Sequence, residues 1–236
     1  MANLHLLCAG AAKGLVLALQ PEFERESGLG LSAQFGAVGA MRELLDGAAP
    51  CDLIVLTRSM IDALAAADRV DAASIRDIGW VHTGVAVPQD APAPAVSDVP
   101  ALRALLARAS AIYLPDPERA TAGIHALRVL RELDQAQPAG RLRAHPNGAA
   151  AMAAMALAAE PASVGITQVS EILCTPGLRL LGVLPPPFGL ATLYSAAVVR
   201  AAAYPAAAAN LASLLTTTAT SPWRQQGGFQ PQGIPK

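Results

Sequence analysis

The 236-residue chain carries 17 basic and 18 acidic side chains, a formal net charge of −1 and a pI near 6.4, with no Lys/Arg cluster, so binding to nucleic acid through a basic face is not expected. Hydrophobic residues make up 53% and aromatics only 4%, so the core is built from Ala, Leu and Val, and alanine inflates the mean hydropathy of +0.38. The long apolar stretches around 148–166 and 180–198 are cut by Glu160-Pro161 and Pro185-Pro186-Pro187. Neither offers the ~20 strongly apolar residues of a spanning helix, and a soluble protein without membrane insertion is expected.

Periodicity and breakers predict strand 4–8, helix 11–26, strand 31–35, helix 38–47, strand 52–57 and helix 59–66. A longer strand, 79–87, leads into the Pro-rich PQDAPAPAVSDVP. The alternation then repeats as helix 100–108, strand 111–114, helix 121–134, strand 141–145, helix 148–159, strand 163–167 and a short helix near 169–172. LRLLGVLPPPFGLATLYSAAVV reads as two strands around a proline turn, and helices near 203–216 and 219–226 precede a Gly/Pro/Gln tail. Strands alternating with helices imply parallel sheets covered on both faces. Two such blocks predict an α/β fold of two lobes joined by two crossover strands, with 1–82 and 190–236 in one lobe and 83–189 in the other. Ligands in such folds bind beyond the carboxyl ends of the strands, in the interlobe cleft.

Four strand-to-helix junctions share one chemistry: Cys8-Ala9-Gly10-Ala11-Ala12-Lys13, Phe35-Gly36-Ala37-Val38-Gly39-Ala40, the PDPERATAG stretch reaching Thr121-Ala122-Gly123, and Pro146-Asn147-Gly148-Ala149-Ala150. The first N–H groups of a helix have no intrahelical partner, and small side chains let an anion approach them. Close packing alone also favours Gly and Ala at such turns; two junctions in each half point to a shared anion site. Lys13 in a first helical turn opposes the helix dipole, which calls for a negative group nearby. Cys8, Cys51 and Cys174 form no CxxC pair and read as small hydrophobes. No metal-ligand spacing, phosphate loop, dinucleotide fingerprint or helix-turn-helix is visible, so neither a metal nor a cofactor is expected.

LHLLCAGAAKG, FGAVGAMRELLDGAAPCDLIVLT, YLPDPERATAGIHALRVLREL and SVGITQVSEIL resemble the molybdate-binding-protein family of bacterial solute-binding proteins over nearly the whole chain. That resemblance implies the type II periplasmic-binding fold, hinged closure on a ligand and delivery to the membrane subunits of an ABC importer in an exporting organism. It also implies binding positions: two ligand serines fall on Ala11 and Val38, two backbone contacts on Ala122 and Ala149, and a tyrosine hydroxyl on Gln168. With Gly10, Gly39 and Thr121 beside them, these complete the expected ligand contacts together with Lys13 and Arg58. Loss of both serine hydroxyls removes two charge-assisted donors, each worth ~1.5–3 kcal/mol, and the guanidinium of Arg58 suits a carboxylate. A small organic acid is therefore expected in place of molybdate.

The SAGA-K-like opening, Thr57-Arg58-Ser59-Met60-Ile61-Asp62-Ala63-Leu64 and the TQ-SEI segment from Thr167 to Ile172 are shared with a subset that resembles bacterial aconitate isomerase. The alternative this implies is an isomerase that moves a double bond in an unsaturated tricarboxylate by base and acid proton transfer. Its candidate proton carriers are His125, Glu171 and Lys13, with Cys8 as a further thiol. The first strand begins within four residues of Met1, so a periplasmic location requires a leader already removed; otherwise the location is cytoplasmic.

Overall fold

The computed structural model describes residues 2–92, 94–136 and 139–231. Ala93 of the Pro-rich stretch and 232–236 of the polar tail lie outside the described residues. In chain order the elements are β1 (Asn3–Ala9), α1 (Lys13–Ser27), β2 (Gly30–Gly36), α2 (Val38–Asp46), β3 (Leu53–Thr57), α3 (Arg58–Ala66) and β4 (Arg76–Pro88). They continue as α4 (Val99–Arg108), β5 (Ile112–Pro115), α5 (Thr121–Glu132), β6 (Leu142–His145), α6 (Gly148–Ala158), β7 (Val164–Gln168) and α7 (Val169–Leu173). Strands β8 (Leu178–Val183) and β9 (Ala191–Val198) and helices α8 (Pro205–Thr216) and α9 (Ser221–Gln226) complete the order. No helix among the described residues is long and apolar enough to cross a membrane.

The chain divides into two compact units, Met1–Val81 with Thr192–Lys236, and His82–Ala191. In the first, β2, β1 and β3 run parallel and β9 joins β3 antiparallel. Strand β3, LIVLT, is buried along its whole length, which is why it reads as an unbroken apolar run. Helix α8 packs on both β3 and α1, and its Leu211 and Leu215 are buried. The first helix enters through a 3₁₀ turn, Gly10–Ala12, where the periodicity predicted regular helix from 11.

Asp52 ties this unit together. Its carboxylate, 2% exposed, accepts from the N–H of His5 at 2.8 Å and the N–H of Tyr204 at 3.0 Å. One side chain thus holds β1 and the residue that precedes α8.

In the second unit β7 lies between β4 and β5, β6 pairs with β5, and β8 pairs with β4. Strands β5, β6 and β7 are parallel, and β4 is antiparallel to β7. One face packs Val85, Ile112, Leu114 and Ile166 against Leu102 and Leu106 of α4 and Val129 and Leu130 of α5. The other packs Ala86 and Tyr113 against Met152 and Met155 of α6 and Ile172 of α7. Gly165 on that second face leaves room for the Met152 and Met155 side chains, whose sulfurs a Cβ there would approach to 3.0 Å.

Candidate functional site

Because β1, β2 and β3 are parallel, α1, α2 and α3 all start at the same, carboxyl end of the first unit's sheet. The cap residues Ala9, Ala12, Ala37 and Thr57 make no side-chain hydrogen bond to a backbone N–H of the helix that follows. Gly10 and Ala11 are buried in the 3₁₀ turn, Val38 is buried at the first position of α2, and Gly39 is half-buried. Exposed Lys13 places its ammonium 5.8 Å from the centroid of the Phe35 ring at the end of β2. That cation–π contact accounts for the basic residue in the first turn of α1.

Arg58 is spoken for. Its Nε donates to Asp62 at 2.8 Å and its Nη1 to both oxygens of Asp77 at 3.0 and 3.1 Å, while Ser195 also donates to Asp77 at 2.7 Å. The guanidinium predicted to clamp a carboxylate is thus compensated by two of the chain's own. The start of α3 contributes hydroxyls instead, with Thr57 Oγ1 and Ser59 Oγ 3.3 Å apart. Neither hydroxyl stands out in the sequence, where the adjacent guanidinium is the stronger chemical signal.

In the second unit, α5 and α6 start at the carboxyl ends of β5 and β6, and Thr83 on β4 sits opposite Gln168 at the end of β7. Asp116 folds the approach to α5 by accepting from the N–H groups of Glu118 at 2.8 Å and Arg119 at 3.0 Å. Ala120 supplies no side-chain cap, so the N–H groups of half-buried Thr121 and of buried Ala122 and Gly123 are left without one. Two buried hydroxyl oxygens in this unit, Thr83 Oγ1 and Ser170 Oγ, have no hydrogen-bond partner among the described residues. A buried orphan costs ~1–3 kcal/mol.

The start of α6 differs. Asn147 Oδ1 accepts from Ala150 N–H at 2.9 Å. The buried Glu171 carboxylate accepts from the N–H groups of Gly148, Ala149 and Gln168, and from Thr167 Oγ1 at 2.5 Å. Ala149 N–H, expected to face a guest, here meets a carboxylate of the chain itself, carried by α7. A Cβ on Gly148 would collide with the Glu171 carboxylate and the Thr167 hydroxyl. Burial pushes the Glu171 carboxyl up, and its four donors pull against that shift.

His125, expected as a proton carrier, is buried with Nε2 donating to Phe188 O at 2.7 Å and Nδ1 accepting from Arg128 Nη2 at 3.1 Å. A carbonyl can only accept and a guanidinium can only donate, which fixes the tautomer. Both nitrogens are thus engaged by partners within the chain. Burial, helped by the Arg128 charge, pushes its pKa down, against the pull of the Phe188 carbonyl. The folded state thus disfavours a proton that the unfolded chain takes up below about 6.5. Stability is expected to fall as pH drops through that value, and His125→Gln to flatten the fall in thermal melts recorded between pH 7.5 and 5.

Of the thiols, Cys8 is buried and donates to Ala9 O at 3.3 Å, and burial pushes its pKa up. Cys51, half-buried, is pushed up to about 12, while Cys174 is exposed. No group of three or more His, Cys, Asp or Glu placed to hold a metal ion occurs among the described residues.

Residues 4–230 match the family described as bacterial extracellular solute-binding protein. An aconitate isomerase of a Pseudomonas species is 28% identical, over 97% of this chain and 88% of that protein. Among solved structures, the periplasmic molybdate-binding protein of Azotobacter vinelandii superposes with a TM-score of 0.78 at 17% identity, covering 97% of this chain and all of the other. A tungstate ABC transporter structure from Geobacter sulfurreducens superposes with a TM-score of 0.66 at 14% identity, over 92% and 95%. The two-lobed α/β fold predicted from the alternation of elements is the fold of these proteins.

Proposed function

We propose that this chain, which belongs to the bacterial extracellular solute-binding proteins, captures a small organic carboxylate at its uncapped helix starts and hands it to an ABC importer. The observation that carries this reading is the set of helices that follow a parallel strand and start without a side-chain cap, α1, α2 and α3 in one unit and α5 and α7 in the other. Their backbone N–H groups suit a negative guest. In the first unit Gly10, Ala11, Val38 and Gly39 would offer backbone to such a guest, with Lys13 adding positive charge; in the second unit Thr121 and Ala122 would do so, as would the side chain of Gln168. A tetrahedral dianion fits less well, since Ala11 and Val38 bring no hydroxyl and the α6 start is already taken. Such a role places the protein outside the cytoplasmic membrane. Calorimetry against molybdate, tungstate, sulfate and a panel of di- and tricarboxylates tests the reading. A carboxylate bound tighter than ~1 mM, about −4 kcal/mol, is expected; no ligand of the panel reaching that affinity counts against it.

A second reading is favoured by the 28% identity to an aconitate isomerase over 97% of the chain. Here the protein would move the double bond of an unsaturated tricarboxylate. Of His125, Glu171 and Lys13, only the Lys13 side chain makes no ion pair or hydrogen bond among the described residues, its contact being the Phe35 ring. Incubation with trans-aconitate, followed by chromatography for cis-aconitate, decides the matter. Turnover that Lys13→Ala abolishes supports it, and no turnover in freshly purified protein removes it.

A further inference from the structure

We propose that Glu171 is a specificity-determining residue, a resident carboxylate that occupies the α6 helix start and so denies that start to an external tetrahedral dianion. The inference deepens the anion-binding reading above and rests on it. A carboxylate offers about four lone-pair sites, and Glu171 has four donors: the N–H groups of Gly148, Ala149 and Gln168 and the hydroxyl of Thr167. Asn147 takes the next N–H, that of Ala150. Every one of the first three N–H groups of α6 therefore ends on an acceptor belonging to the chain, and the regular helical pattern begins with Ala151 N–H on Asn147 O at 3.0 Å.

The seat is built for this occupant. Gly148 has no Cβ where the carboxylate lies, and a Cβ there would strike it. Helix α5, at the same end of the same sheet, lacks a side-chain cap. The second unit thus gives the α6 start to an internal anion and leaves the α5 start without a side-chain cap. The internal anion fills the α6 donors, and its charge repels a second full charge brought close by through a low-dielectric interior. A dianion with its charge concentrated on one tetrahedral centre meets that repulsion in full; a carboxylate on a carbon skeleton can set its charge at α5 and keep a neutral carbon or hydroxyl toward Glu171.

Wild type, Glu171→Ala and Glu171→Gln are titrated calorimetrically with molybdate, sulfate and the carboxylate bound best by wild type, after circular dichroism confirms folding. Molybdate affinity is expected to rise roughly tenfold or more in Glu171→Ala, with a smaller rise in Glu171→Gln, whose amide still fills the seat. If the alanine variant does not fold, the glutamine variant is read alone. Folded variants whose molybdate affinity stays within about twofold of wild type overturn the role of Glu171, even where the wild type binds carboxylates well. A wild type that binds no carboxylate, with variants that gain molybdate, overturns the ligand reading and leaves the role of Glu171 standing.

Discussion

Asp52→Ala is expected to lower the unfolding free energy by about 3 kcal/mol, a large loss for the truncation of one side chain. The substitution orphans two partly buried N–H groups, those of His5 and Tyr204, which now donate to the carboxylate at 2.8 and 3.0 Å. A fully buried orphan costs ~1–3 kcal/mol, so a total of about 3 kcal/mol stays near the low end of that range for two partly buried ones. For a chain of this size the melting temperature falls by roughly 2–4 °C per kcal/mol. Asp52→Asn keeps one acceptor and turns an amide donor toward the other N–H, so it is expected to recover only part of the loss. Thermal and urea unfolding of the three proteins measure it. A melting temperature for Asp52→Ala within about 2 °C of wild type would show that β1 and α8 do not depend on this carboxylate.

Gly123→Ala is expected to act on both fold and binding. A Cβ at this position runs into the carbonyl oxygens of Pro115 and Asp116 and comes to 2.7 Å from Asp116 C. These are backbone atoms, held by the turn that Asp116 makes with Glu118 and Arg119, so no flexible side chain can yield. Overpacking of this kind costs ~1–3 kcal/mol. Relief requires the start of α5 to move, which carries the Thr121 and Ala122 N–H groups with it. Misplaced donors are expected to weaken carboxylate binding roughly tenfold or more. Gly140→Ala is the control, because a Cβ there meets nothing within 4 Å and loses only backbone freedom. Equal ligand affinity in the two variants, measured by calorimetry, would detach the α5 start from binding.

The order of elements is legible in the sequence because the strands of a covered parallel sheet are continuous apolar runs. LIVLT in β3 and VGITQ in β7 are buried at every position, and the helices between them carry their own periodicity. The junctions are legible for a similar reason, since Gly and Ala at a strand-to-helix turn are local signals. What the charged side chains do is not. Arg58 reads as a ligand clamp from its neighbours, whereas Asp77, 19 residues away, holds it. His125 is fixed by a carbonyl 63 residues distant, and Asp52 by an N–H 152 residues distant. Pairings of that range are decided by sheet order and loop path, and nothing in the residues beside each member announces the other. Glu171 falls between these cases: its spacing from Thr167 is one helical turn, but the Gly148 and Ala149 donors come from a different helix.

The three thiols differ enough in surroundings to make the chain selectively addressable. Alkylation proceeds through the thiolate, and burial keeps Cys8 and Cys51 protonated. A maleimide dye offered in modest excess at neutral pH therefore lands on the exposed Cys174. That residue ends α7, the helix that carries Glu171, so a fluorophore attached there reports on the helix from the solvent side without any engineered cysteine.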